Sequence, residues 1–331
     1  MATALSALEL AVAEEGRPAG HALEIAAHAV QRVEELGYQR VWFAEHHGSP
    51  FAASVVPAVL IAHFAARTSR IRLGSGGVLA PNHAPLALAE QFATLATLHP
   101  GRIDMGVGRG PGTFDQTVVR ALRRGGEPST DAEYQEDVTS LLRYLAGEGG
   151  VRLIGGWDPE RAGVAPFLLS SSAAGAELAA RLGVPVAFAH HIRPENTVAA
   201  ARRYRELFTP SRWSDRPYVM VAVETVVAET AEEAAYLAHP IDLMRARMFQ
   251  QLGETALLPP EVAATREIPA EVRDAVLASG AAQARGTVET VRDRFAGLVA
   301  DTGADELMLA VPVYDAEKRA RCYELAAKAA R

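Results

Sequence analysis

The residues whose types could do chemistry stand in short clusters. Glu45-His46-His47-Gly48 sets a carboxylate beside two imidazoles, a combination suited to proton transfer near neutral pH, with Glu45 as the neighbour able to orient His46. A pair of partly buried histidines bonded to backbone carbonyls is the bland alternative. A shared metal is disfavoured, because adjacent residues on an extended chain point to opposite faces. Gly76-Gly77, with Pro81-Asn82-His83 after it, leaves a flat wall without side chains. Gly108-Arg109-Gly110-Pro111-Gly112 brackets an arginine with glycines, so backbone can approach a phosphate or ring that the guanidinium grips. A solvated loop arginine is its alternative; a Walker loop is not, since the segment is too short and has no lysine. Ser170-Ser171-Ser172 opens a helix, where hydroxyls cap the first turn and free N–H groups can hold an anion. His190-His191 completes the set.

Short β-type runs alternating with segments of helical period must position these clusters. Strands are expected at Leu8–Val12, Arg40–Ala44, Ile71–Ser75, Ile103–Val107, Phe167–Leu169, Val184–Ala189, Tyr218–Val227 and Glu306–Val311. The first helix carries Leu23, Ala26, Ala27, Val30 and Val33 on one face and closes at Gly37. Others are expected at 55–66, 85–98, 131–145 (with Asp131 near its N-cap), 173–182, 195–208, from 231 and at 316–329. The sum is a (β/α)8 barrel, with an open Rossmann-type sheet as the alternative. In a barrel every cluster above follows a strand, so they converge on the face where barrel active sites lie. Arg109 and the serines follow the fourth and fifth strands and could grip one phosphate together. We read residues 1–331 as one domain. Two stretches break the rhythm: a glycine-rich active-site loop, Gly108–Thr130, and an insertion, Pro240–Gly286, punctuated by Pro259-Pro260 and Pro269.

Composition narrows the function classes. With 49% hydrophobic and 22% charged residues the chain can build a core. Its 33 basic and 40 acidic residues leave a net charge of −7, against a nucleic-acid-binding role. No apolar run reaches the roughly 18 residues of a membrane span, and the N-terminus has no basic region ahead of an apolar stretch. A cytoplasmic protein is expected. The single cysteine, Cys322, can make neither an internal disulfide nor a zinc cluster, and no His-x-His follows the first strand as a metal-dependent hydrolase would need.

On these residues the chain resembles the bacterial luciferase-like monooxygenases. The resemblance is carried by Leu36-Gly37-Tyr38 through Glu45-His46-His47, by Thr68 to Gly77, by Pro81 to Pro85, by Ala89-Glu90-Gln91-Phe92, and by His99 to Gly112. Weaker similarity follows at Ser170–Pro185 and Asp305–Pro312, and the nearest members are actinobacterial oxygenases of secondary metabolism.

The resemblance implies a luciferase-like (β/α)8 barrel that binds FMN as FMNH2, activates O2 as a flavin C4a-peroxide and oxygenates a small organic substrate. No Rossmann GxGxxG opens a βαβ unit, so a separate flavin reductase is expected to supply FMNH2; a homodimer is implied too. His46, with His47 beside it, corresponds to the histidine near the flavin C4a region. Arg109 corresponds to the arginine on the FMN phosphate, and Ser171 and Ser172 to the phosphate-binding pair. Gly76–Gly77 is where the family often has a non-prolyl cis peptide. Glu45, Gly110 and His190 complete the expected cofactor-binding set, and no metal ligand is expected. Gly108 stands where luciferase has a reactive cysteine, Gly175 where it has a threonine and His190 where it has a tryptophan. These departures bear on aldehyde bioluminescence, not on flavin binding. Two alternatives stay open: an F420-dependent hydride-transfer oxidoreductase, and a non-catalytic flavin-binding partner subunit.

Overall fold

The computed structural model describes residues 3–123, 129–148 and 150–331. Among them the strands are β1 (Ala4–Glu9), β2 (Arg40–Phe43), β3 (Arg72–Leu79), β4 (Ile103–Gly108), β5 (Val164–Ser170), β6 (Val186–Ala189), β7 (Val219–Val227), β8 (Ala284–Gly286) and β9 (Glu306–Ala310). All pair in parallel. β1 to β7 follow one another round a ring, β7 pairs with β9, and β9 closes on β1, giving the expected eight-stranded barrel. β8 is bonded to the end of β7, outside the ring.

Alternate residues fill the barrel, as the strand period requires. Leu8, Trp42, Phe167, Ala187, Met220, Ala222, Met308 and Ala310 form its interior cluster. Trp42 and Phe167 meet edge to face at 4.9 Å. The indole is large, and β3 and β4 make room for it with glycine. A Cβ on Gly74 would come within 2.7 Å of Trp42, one on Gly76 within 2.9 Å of Trp42 and 2.6 Å of Leu8, and one on Gly106 would strike the Ser75 carbonyl. Gly106→Ala is therefore expected to destabilise the fold by about 1–3 kcal/mol, the usual cost of overpacking; a urea titration reads it, and an unchanged midpoint contradicts this packing.

Below the indole, at the N-terminal end of the barrel, lies a buried polar layer. Asp104 accepts from Arg40 (2.8 Å), from Arg72 Nε (2.8 Å) and from the Trp42 indole N–H (2.9 Å). Glu306 accepts from Arg40 (2.9 Å), from the Tyr218 hydroxyl (2.5 Å) and from Ser6. Two arginines meet two carboxylates, so the layer is neutral and each carboxylate is held by several donors.

Several sequence expectations are corrected. The first strand is Ala4–Glu9, not Leu8–Val12: Ser6 points inward to Glu306, and a buried polar side chain hides a strand from a hydrophobic pattern. Beyond Leu10 the chain leaves the barrel through Ala11, whose φ is +47°, and Val12 bridges to Ala52. β3 runs on to Leu79, through Gly76–Gly77. The helix after β7 continues through Pro240 to Phe249, with Leu237, Pro240, Ile241 and Ala246 buried, so packing overrides the proline. The remainder of the Pro240–Gly286 stretch holds the helix Ala270–Ala281 and β8. The Gly108–Thr130 stretch contains a helix, Gln116–Leu122, and its residues 124–128 lie outside the described residues. The helix Asp131–Leu145 has the expected bounds, and Thr130, next to Asp131, caps it in a reciprocal capping box with Glu133. Among the described residues no helix is long and apolar enough to cross a membrane.

Candidate active site at the barrel mouth

Glu45 follows β2 directly and is buried. It accepts from His47 Nε2 (2.9 Å), His83 Nε2 (3.0 Å), the Leu79 N–H (3.0 Å) and Asn82 Nδ2 (3.3 Å). Burial alone would raise its pKa; the His83 and His47 bonds and the Leu79 amide outweigh that and hold it below the usual value. Glu45 thus ties the turn after β2 to the segment after β3, and the histidines it orients are His47 and His83. That corrects the expectation that it would orient His46.

His46 is held by its backbone alone, its N–H donating to the Ser54 carbonyl at 3.0 Å. Its Nδ1 is buried and has no hydrogen-bond partner. Burial lowers the ring's pKa, against a pull upward from Glu254. An unsatisfied buried polar atom is costly and rare in a folded protein, and it marks the position of a missing partner. Glu254 comes from the Pro240–Gly286 stretch, bonds the Ser49 hydroxyl, and is followed by Leu257, which pairs with Ala13 and Glu15. The stretch therefore folds back over the β1 and β2 side of the mouth, which sequence reasoning did not anticipate.

The peptide between Gly76 and Gly77 is cis. Their side-chain positions face protein: a Cβ on Gly77 would lie 2.9 Å from the Gly106 carbonyl and 3.0 Å from Leu169. Packing against the barrel interior thus already demands glycine at what the sequence suggested was an open wall. Gly112 is similarly constrained, with φ of +72° and the Glu45 carbonyl 3.0 Å from its Cβ position, and its carbonyl accepts from the His47 N–H at 2.7 Å.

Arg109 follows β4, is half exposed, pairs with Asp131 and donates to the Ser129 carbonyl at 3.3 Å. Ser171 and Ser172 follow β5, the neighbouring strand, and are exposed. Ser172 caps the helix Ala173–Leu182 by accepting from the Gly175 N–H at 3.4 Å. Gly175 leaves room for the Ser170 side chain, with which a Cβ there would collide. Gly110 is exposed beside Arg109.

His190 departs from expectation. It is buried, with Nδ1 3.0 Å from the Thr197 hydroxyl and Nε2 3.0 Å from the Ala282 carbonyl, so neither ring nitrogen is left for a cofactor. It locks β6 to the segment before β8 instead. Sequence reasoning also missed Glu224. This buried β7 carboxylate accepts from Arg285 Nε at 2.7 Å and from Arg245 at 2.5 Å, and Asp242 binds both arginines. The signal was there: Glu224 is a lone acid in the apolar run Val219-Met-Val-Ala-Val-Glu-Thr-Val-Val227. Cys322 is buried against the Val227 carbonyl at 3.1 Å, and burial pushes its thiol up to about 11, so it is no nucleophile. Among the described residues no group of three or more His, Cys, Asp or Glu could hold a metal.

Burial lowers the pKa of His46, His190 and His191 below the ordinary 6.5. Each therefore takes a proton more readily unfolded than folded, and stability falls as pH drops below about 6.5. Glu45 and Glu224, whose pKa values are lowered, extend the loss at lower pH. We expect the melting temperature to decline steadily from pH 7.5 to 5.5, and His190→Gln to flatten that slope. A melting temperature constant across this range would contradict the histidine burial.

A (β/α)8 barrel whose C-terminal mouth gathers a buried carboxylate–histidine cluster, an unpartnered imidazole and an arginine beside a capped helix N-terminus defines a small-molecule enzyme site. Comparison with known proteins gives its class. The profile of the luciferase-like monooxygenase family matches residues 9–306. The chain belongs to this family. It is 37% identical over 331 residues to the luciferase-like monooxygenase of Escherichia coli (strain K12), covering 98% of this chain and 96% of that one. It is similar to the solved structure of apo-MsnO8, with 35% identity, a TM-score of 0.90, and 99% and 98% of the two chains covered. A more distant structure shares the fold alone: the oxygenating constituent of 3,6-diketocamphane monooxygenase from Pseudomonas putida in complex with FMN, at 19% identity, TM-score 0.66 and 98% and 97% coverage.

Proposed function

We propose that the chain is an FMNH2-dependent monooxygenase that acts on a small organic substrate and takes its reduced flavin from a separate reductase. The observation that supports this best is the buried, unpartnered Nδ1 of His46, next to a Glu45 carboxylate that four donors hold. When bound, reduced flavin supplies the electrons that activate O2; the protein supplies orientation, a proton and dryness.

Arg109, Ser171, Ser172 and the N-terminus of the helix Ala173–Leu182 would hold the phosphate, using charge and free N–H groups together. Asp131 competes for Arg109, so binding exchanges a solvated carboxylate for a phosphate. Glu45, Gly76, Gly77 and Gly110 would contribute backbone and shape near the ring. His46 is the residue that holds or moves a proton at Nδ1, and burial keeps it neutral and ready to do so. His47, fixed by Glu45, keeps that turn in position. The return of residues 251–258 over the mouth helps exclude water.

Arg109→Ala is expected to weaken FMN binding by about tenfold or more and riboflavin binding much less, because only FMN loses a charge-assisted bond. Fluorescence titration with both ligands reads the difference. Equal weakening removes Arg109 from the phosphate, and tight binding of F420 with none of FMN overturns the cofactor assignment.

A further inference from the structure

His190 and His191 are adjacent, yet the fold uses them in opposite ways. His190 is locked into the protein at both ring nitrogens. His191 follows β6, which stands four strands from β2 in either direction round the ring, so His191 and His46 enter the mouth from opposite sides. The two remain close enough for His46 to add to the forces that keep His191 neutral.

The tautomer of His191 follows from its partner. Its Nδ1 lies 3.2 Å from the Ala222 carbonyl, which can only accept, so Nδ1 carries the proton. In the neutral ring Nε2 is then a lone-pair acceptor, and among the described residues no protein group bonds to it. A carboxylate or ketone brought to that atom would set lone pair against lone pair; a hydroxyl would donate. Glu224, the carboxylate that acts on this ring, is already matched by Arg245 and Arg285, and the mouth segments add apolar side chains rather than an acid for a charged donor. Ile192, the next residue, is 62% exposed, Phe114 after β4 is 73% exposed, and Phe249, which ends the helix after β7, and Leu252 beyond it are exposed as well. Ile192 and Phe114 stand in the loops after β6 and β4, and Leu252 in the stretch that returns over the mouth. Desolvating an ammonium among them is costly, whereas an apolar body gains from the contact.

Resting on the flavin-monooxygenase reading above, we propose that His191 Nε2 is the substrate-recognition atom of the site, and that the substrate is an apolar molecule presenting a hydroxyl to it. Isothermal titration of the FMN-loaded protein with 1-naphthol and with 1-methoxynaphthalene tests this, since the two probes differ chiefly in the donor hydrogen. Wild type is expected to bind the naphthol about tenfold or more tightly than the ether. His191→Phe keeps a ring and loses the acceptor, so the preference vanishes while FMN affinity stays unchanged. His191→Gln, which keeps an acceptor oxygen, retains part of it. Equal binding of both probes to wild type, or an intact preference in His191→Phe, overturns the proposal. FMN titration comes first: if FMN does not bind, the cofactor reading fails, and the two probes compared on flavin-free protein still decide the role of His191.

Discussion

Replacing His46 with alanine is expected to leave FMNH2 affinity within a few-fold of wild type while substrate oxygenation drops by about 10²–10⁴-fold, the usual contribution of a positioned acid or base. The expectation rests on two features of the imidazole. Its Nδ1 is buried without a partner, and its fold contacts run through the backbone N–H, which alanine keeps. The side chain therefore contributes little to the architecture and is free to serve the reacting groups. Oxygen consumption should continue, with hydrogen peroxide released in place of oxygenated product. Counting product, peroxide and bound flavin in one experiment separates this from a structural role, which predicts a lower melting temperature, weaker flavin binding and normal turnover per loaded enzyme. Wild-type coupling in the alanine variant would sink the assignment.

The second large effect is on stability, at the opposite end of the barrel. Asp104→Ala removes the carboxylate shared by Arg40, Arg72 and the Trp42 indole. Arg40 keeps Glu306, but Arg72 loses its only salt-bridge carboxylate among the described residues, and the indole N–H is left buried and unpaired. Breaking a buried ion pair from one side costs about 3–5 kcal/mol. A loss of that size is a large part of a domain's total stability, so the urea midpoint should fall sharply or the chain fail to fold. Asp104→Asn, which keeps the side chain's shape and one acceptor oxygen while Arg40 stays on Glu306, should cost less than Asp104→Ala. The measurement is equilibrium unfolding of all three proteins; near-wild-type stability of Asp104→Ala would refute the account of the layer.

Much of this protein could be read along the chain. The strand–helix rhythm gives a barrel because each β-run is followed by a helix able to cover it, and the barrel dictates that Glu45, Arg109, Ser171 and His191 share one end. Gly37 closes the first helix with a φ of +82°, a role glycine fills without strain. What misled the reading was polarity inside the barrel. Ser6 and Glu306 point inward and bond each other, so β1 did not look like a strand, and the helix after β7 carries Pro240 in a packed interior that overrides its local cost.

At the site, residue types and spacing determined which groups would meet, because a barrel sends every strand's C-terminal residues to one mouth. Only the tertiary structure decided how they pair. Adjacent histidines look alike in sequence, yet Glu45 takes His47 and leaves His46 without a partner, and Thr197 and Ala282 take His190 while His191 keeps Nε2. The role of the Pro240–Gly286 stretch was equally out of reach, since Arg245 and Arg285 find Glu224 from 21 and 61 residues away, with Asp242 bridging the two arginines, and Glu254 reaches Ser49 from farther still. Local pattern reports which face of an element is buried. Which donor meets which acceptor depends on side-chain positions to within about half an ångström, and those exist only once the barrel has closed.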